Sequence, residues 1–341
     1  MQPRHAPADP TRVRVAAARY TNLQRVLPLV QLAALPVYAL IGHQGAGLRG
    51  GALVAFTAAA PVVVHAFFLG VGFVISYLNR DEGPGPHRRN CRDWLIAWFT
   101  ELLVSLREFY WLMPFRESFQ TPSPVPPRVA LPILFIHGYG CNRGLWLPAA
   151  YWFAQRGYDV AAINLTPMAG PIDAYATTIT EAIARLRDRT GVARVALVCH
   201  SMGGLAARAY LRDCVAAGVD PGVASVITLG TPHRGTHVAW LGLGENARQM
   251  RFGSDWLGGL DAIESGPSSE PLRIRRLITT IASLHDNIVS RQSSQRLAGS
   301  RAIMVRRHGH MSLATSPRVF RIVDRLLRRA ARSDRRGAPP R

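Results

Sequence analysis

The segment Leu197-Val198-Cys199-His200-Ser201-Met202-Gly203-Gly204 sets a serine between an apolar run and a stretch of good helix formers. Val195 to Val198 reads as a buried parallel strand and Leu205 to Cys214 has helical spacing, so Ser201 falls on the turn between them. A serine there projects its hydroxyl above the sheet, where it can attack a carbonyl. The sharp turn crowds the residues two positions to either side. Gly203 meets that demand, and Cys199, standing where glycine is usual, meets it less fully. Read alone, the segment also suits an ordinary strand-to-helix turn that happens to contain a serine.

Upstream, Leu131-Pro132-Ile133-Leu134-Phe135-Ile136 reads as a second buried strand and runs into the glycine-rich loop His137-Gly138-Tyr139-Gly140. Attack on an ester carbonyl makes its oxygen anionic, and each preset backbone N–H aimed at that oxygen stabilises it by about 3 kcal/mol. Two donors suggest themselves: the N–H of Met202, beside the serine at a helix start, and the N–H of Tyr139 in the loop that Gly138 opens. Such a loop also suits phosphate, yet neither Gly-Lys-Ser/Thr nor Gly-x-Gly-x-x-Gly follows.

With these two segments the chain resembles the α/β-hydrolase superfamily, and more closely the bacterial triacylglycerol lipases and related carboxylesterases, over residues 129–327. The resemblance implies a triad in the order serine, acid, histidine, with the acid after a late strand and the histidine after the last. Leu277 to Ser283 reads as a strand, and Leu284-His285-Asp286-Asn287-Ile288-Val289 follows it with one carboxylate. A strand from Ala302 to Val305 precedes Arg306-Arg307-His308-Gly309-His310-Met311-Ser312-Leu313, which is similar to the family's Gly-His-x-x-Leu ending. The resemblance therefore makes Ser201 the nucleophile, His310 the general base, and Asp286 the group that holds its tautomer and stabilises the imidazolium.

Each role has a competitor. His308 stands close enough to His310 to be the base instead. Leu229-Gly230-Thr231-Pro232-His233-Arg234-Gly235-Thr236 resembles the family's segment after the strand that follows the nucleophile helix, but His233 precedes the acid and reads as a wall or supporting residue. Asp261 and Glu264 compete as the acid, although neither directly follows an apolar strand. Asp286 also suits a helix N-cap, a role compatible with the first.

These groups need a scaffold, and the intervening elements alternate as one requires. Asp159 to Asn164 and Ala224 to Thr228 read as strands, Ile172 to Arg189 as a helix, and Arg318 to Ala331 as a basic helix. The fold expected is α/β, a doubly wound, mostly parallel sheet of about six strands over residues 129–332, lacking the first two strands of larger relatives. Within it, residues 237–270 carry Trp240, Leu241, Leu243, Trp256 and Leu257 among glycines, which suits a lid or cap over an apolar pocket and equally ordinary core. Residues 333–341 are expected to form a disordered basic tail.

The N-terminal part reads differently. Gly50 to Asn79 has no formal charge and exceeds the roughly 20 residues needed to span a bilayer. Val26 to Leu48 is a second apolar stretch, interrupted by Pro28, Gln31, Pro36 and His43; a signal sequence is its competing reading. The division expected is a basic segment 1–25, a helical membrane hairpin over 26–79, and an amphipathic helix with a Pro-rich linker over 80–128. Arginines precede the first span and follow the second while Arg49 alone lies in the turn, so both termini and the hydrolase are expected on the cytoplasmic side of a cytoplasmic membrane. Cys91, Cys141, Cys199 and Cys214 show neither metal-ligand spacing nor a disulfide framework.

Along Trp94 to Pro114, Asp93, Glu101 and Glu108 share one narrow helical sector, with Leu95, Trp98, Leu102, Leu106 and Phe109 around much of the rest. Such a helix either lies in the membrane interface or packs on the hydrolase as part of an acyl-binding wall. The net charge is +20, with 41 basic residues, all arginine, crowded beside the spans and in the tail. An anionic lipid surface is the simpler partner for them than nucleic acid, for which no motif is present. No cofactor or metal is called for. The reading that collects these features is a membrane-anchored serine ester hydrolase acting on lipid-like esters. The same triad would serve an acyltransferase or thioesterase, and a non-catalytic membrane scaffold is the alternative of a different class.

Overall fold

Six parallel strands form one sheet in the order β2-β1-β3-β4-β5-β6, with β1 at Val129–Ile136, β2 at Tyr158–Ile163, β3 at Val195–His200, β4 at Val223–Leu229, β5 at Ile278–Ser283 and β6 at Arg301–Val305. The structure, a computed structural model, describes residues 24–81, 90–264 and 274–335. β3 and β4 are buried along their whole length, which is why their sequences run apolar rather than alternating. Register levels the carboxyl ends of the strands: Ile136 lies beside Cys199, His200 beside Leu229, Leu229 beside Ile281 and Ser283 beside Val305. The loops that leave these ends therefore gather on one rim, the usual place for a ligand site in a parallel sheet.

Two helices at the start of the described chain, α1 (Val26–Gly45) and α2 (Gly50–Leu78), are long and apolar enough to cross a membrane, with mean hydropathies of 1.7 and 2.2. A third, α3 (Cys91–Arg107), begins at Asn90, whose side chain accepts the Arg92 N–H. In the sheet domain, α4 (Leu147–Ala154) packs on one face. On the other face lie α5 (Tyr175–Thr190) and α6 (Met202–Ala216). Short helices α7 (Glu245–Gln249) and α8 (Asp255–Glu264) follow β4, and α9 (His310–Leu313) and α10 (Pro317–Arg335) follow β6, with α10 beside α4. Because arginine and alanine are good helix formers, α10 continues to Arg335, past residue 332 where the folded domain was expected to stop. Residues 336–341, most of the basic segment 1–25, and the end of the 237–270 interval lie outside the described residues.

α3 packs on the sheet domain, and its charged sector faces inward. Asp93, Glu101 and the following Glu108 are buried, whereas Leu95, Phe99 and Leu103 stand 55–65% exposed on the opposite side. The buried carboxylates are paired: Asp93 takes Arg307 at 2.7 Å and Arg306 from beyond β6, and Glu108 takes the neighbouring Arg107 at 2.8 Å. The Arg307 bond, with Arg306 beside it, holds the Asp93 carboxyl below the usual carboxylate range although burial works the other way. α2 joins the same contact. Phe73 and Tyr77 meet the Trp94 ring edge-on, Trp94 in turn meets His285 at 5.0 Å, and the Ser76 hydroxyl donates to the Asp286 carbonyl.

Candidate active site

β3 ends at His200 and α6 begins at Met202, so Ser201 makes the turn alone, with φ 53° and ψ −127°. That conformation costs an L-residue roughly 1–3 kcal/mol and persists only when its surroundings impose it. They do so here through three bonds: Ser201 N–H donates to Leu229 (2.9 Å), and the Ser201 carbonyl accepts from Gly204 N–H (3.0 Å) and from the Thr231 hydroxyl (2.8 Å). A Cβ on Gly203 would fall 2.6 Å from the Ile136 and His137 carbonyl oxygens, and one on Gly138 would fall 2.6 Å from the Ser201 Cβ. Only glycine at both places lets the loop after β1 touch the serine turn. Cys199 is fully buried, and burial pushes its thiol up, so it acts as a small apolar filler.

His310 and Asp286 meet at the neighbouring strand ends. A carboxylate only accepts, so the His310 Nδ1–H donates, to Oδ2 at 2.9 Å and Oδ1 at 3.1 Å. This leaves the lone pair on Nε2. Asp286 is itself fixed, since Oδ1 also accepts the N–H groups of Ile288 (2.9 Å) and Val289 (2.8 Å); the turn-capping role and the histidine contact coincide in one side chain. The His310 N–H donates to the Asn287 side chain at 2.9 Å. Burial works most strongly against a charged His310 ring, yet the charge and hydrogen bond of Asp286, with the charge of Glu101, raise it above the ordinary histidine range. Ser201 and His310 line one cavity of about 370 Å³.

The loop after β1 is braced by a residue that the sequence reading passed over. His137 accepts the Leu165 N–H at Nε2 (3.1 Å) and donates from Nδ1 to the Gly138 carbonyl (2.9 Å), while burial pushes its pKa down to about 4 and keeps it neutral. Tyr139 lines the cavity, and Met202 opens α6, where the first N–H groups have no acceptor within the helix. His200 was missed as well. Its ring lies 4.6 Å from that of His310 and its Nε2–H donates to the His310 carbonyl at 3.0 Å; burial above all, and His310 beside it, hold it well below the ordinary range. The signal was present in the sequence as a histidine closing, or directly following, each of two adjacent strands.

The competitors are engaged elsewhere and none lines the cavity. His308 places Nδ1 at 2.7 Å from the Arg306 carbonyl and Nε2 at 2.9 Å from the Ser316 hydroxyl. His233 meets Thr228 at 3.2 Å. Glu264 holds Arg208 through two 2.8 Å bonds, and Asp261 binds Arg275. Among the described residues there is no cluster of three or more His, Cys, Asp or Glu side chains suited to a metal.

Much of the cavity wall is apolar, with Phe68 and Leu69 from α2, Phe109 just after α3, Val238, Leu241 and Met250 from the segment after β4, and Ile288 and Val289 after β5. The segment after β4 is tied to the loop after β1, because the Tyr139 hydroxyl accepts from the Leu243 N–H (2.8 Å) and donates to its carbonyl (2.9 Å). Around that tie Trp240, Leu241 and Leu243 are 62–81% exposed.

A parallel six-stranded sheet, a strained serine turn at the end of its third strand in sequence, and a histidine after its last strand define an α/β hydrolase. The chain belongs to the alpha/beta hydrolase fold family, whose model matches residues 132–302. It is similar to the mature form of the lipase BlEst2 from Bacillus licheniformis, with 21% identity, a TM-score of 0.52, and coverage of 61% of this chain and 96% of that one. The propeptide form of the same lipase is matched at 21% identity and a TM-score of 0.50, over 61% of this chain and 52% of that one. At these identities the likeness is one of fold. α1, α2 and α3 lie before the residues matched by the family model.

Proposed function

We propose that this protein is a membrane-anchored serine carboxylester hydrolase acting on lipid-like esters. The Ser201 hydroxyl attacks the ester carbonyl while His310 Nε2 takes its proton; Asp286 keeps Nδ1 protonated and stabilises the imidazolium. The carbonyl oxygen, now anionic, is held by the N–H groups of Tyr139 and Met202. His310 then gives its proton to the leaving alkoxide, an acyl-enzyme remains on Ser201, and water, deprotonated by the same histidine, releases the acid. The observation that carries this reading is the pairing of a serine in a left-handed turn with an Asp-bound histidine on the same cavity. Lipid as substrate is supported by the apolar walls, two of whose residues come from a helix apolar enough to cross a bilayer. The exposed outer row of α3 and the Trp240 to Leu243 tip extend that apolar surface toward lipid. The test is labelling of the full-length protein, in detergent, by a fluorophosphonate probe, with p-nitrophenyl esters of increasing chain length as substrates. Stoichiometric labelling abolished by Ser201→Ala is expected; wild-type protein that does not label overturns the proposal.

A further inference from the structure

Glu101 is a buried carboxylate that the triad does not use, and it lies in the wall of the same cavity. It belongs to α3, outside the residues that define the family. One of its oxygens accepts the Met311 N–H and the other accepts the Ser312 N–H at 2.9 Å, so both oxygens are held by the two residues that follow His310. We propose that Glu101 is a positioning residue: from a helix outside the sheet it clamps the backbone that carries His310, and it sets the charge balance of that ring. This assignment rests on the hydrolase reading above.

Each carboxylate oxygen accepts one backbone N–H, which favours the ionised form, the stronger acceptor at both oxygens. Burial raises the carboxyl above its ordinary value, and these two N–H groups oppose that shift without cancelling it. His310 is then faced by three groups from three elements: Asp286 after β5, His200 at the end of β3, and Glu101 on α3. Glu101 itself is faced by Glu108, which burial raises to about 7. The loop leading to His310 is secured to the same helix a second time, through Asp93 to Arg306 and Arg307, and carries His308; His285 packs beside it on Trp94. α3 therefore holds both ends of the segment that delivers the histidine, and the Glu101 end is the one whose charge reaches the ring.

The test uses the full-length protein in detergent micelles and two readouts: titration of the His310 ring by ¹⁵N-histidine NMR, and the rate of fluorophosphonate labelling. Glu101→Gln removes the negative charge and is expected to lower the His310 pKa by roughly one unit. Glu101→Asp keeps the charge but withdraws it by one methylene; it should leave the titration in place while labelling slows by about 100-fold, the cost of an ångström's misplacement. A purely structural role would slow labelling without moving the titration in Glu101→Gln. An unmoved His310 titration in Glu101→Gln overturns the proposal. Should that variant fail to fold, full-rate labelling of Glu101→Asp overturns it. Wild-type protein that does not label, together with a shifted titration in Glu101→Gln, would instead reject the hydrolase reading and leave the clamp standing.

Discussion

Replacing Asp286 with asparagine tests the proposed triad at its most constrained point. The N–H groups of Ile288 and Val289 both donate to Oδ1, at 2.9 and 2.8 Å, and so require an oxygen there. In Asp286→Asn the amide nitrogen must then take the Oδ2 place, 2.9 Å from His310 Nδ1 in the parent geometry. The reversed placement would set an NH₂ against two backbone donors and cost about 1–3 kcal/mol for each donor left unpaired. An NH₂ can only donate, so Nδ1 becomes the acceptor and the ring proton moves to Nε2. That nitrogen can no longer take a proton from Ser201. The wrong tautomer is thus favoured by a few kcal/mol, and the expected loss in kcat/KM is about 10⁴-fold, equivalent to roughly 5.5 kcal/mol of transition-state stabilisation. Hydrolysis of a short p-nitrophenyl ester and the labelling rate should fall together, with a thermal melt confirming that the protein is folded. A folded variant that loses less than roughly tenfold would refute this assignment of the acid.

Three further outcomes are expected. Catalysis requires a neutral His310, and its pKa is raised, so kcat/KM should climb with pH through a limb lying above the ordinary histidine value of about 6.5; a limb on the acid side of that value would argue against His310 as the base. A chain beginning at residue 82 loses Phe68 and Leu69 from the cavity and the Ser76 bond to Asp286, and should react with the probe, and hydrolyse soluble and membrane-embedded esters alike, roughly tenfold or more slowly. Full labelling of that truncation would show that the sheet domain carries the site unaided. A reporter fused after Arg341 should behave as cytoplasmic and alkaline carbonate should leave the protein in the membrane, whereas periplasmic reporter activity would favour a cleaved leader or a single span.

The parts of the site that the sequence made legible are local. Ser201, Gly203 and Gly138 are dictated by turns whose backbones nearly touch, and such steric demands leave residue types at fixed offsets. The contact between Asp286 and His310 in the candidate site could be anticipated because each follows a strand with its own apolar signature. Charge on α3 left two readings open, the membrane interface and a wall packed on the sheet domain, for the opposite reason. A sector of three carboxylates on an apolar helix matches a water-facing stripe, and only the fold brings Arg306, Arg307 and the Met311 and Ser312 N–H groups against it. Hydropathy likewise marked α2 as apolar without saying that Phe68 and Leu69 would wall a cavity in another part of the chain. His137 and His200 went unread because their roles depend on Leu165 and on the His310 carbonyl, neither of which is near them in sequence.

Ser76 and Asp286, Glu101 and Met311, and Asp93 and Arg307 are separated by 210 to 214 residues, and this separation has a consequence for the order of synthesis. α1 and α2 leave the ribosome before any strand of the sheet exists, while His310 is among the last folded residues to appear. A nascent chain arrested between the end of β4 and residue 306 holds a serine turn with no base, while Asp93 and Glu101 on α3 lack the partners they meet in the folded protein. On the proposed reading such a fragment is tethered to lipid yet inert toward it. On that reading the wide spacing of these contacts would confine ester cleavage to chains translated past His310 and Met311, and spare the bilayer from shorter copies.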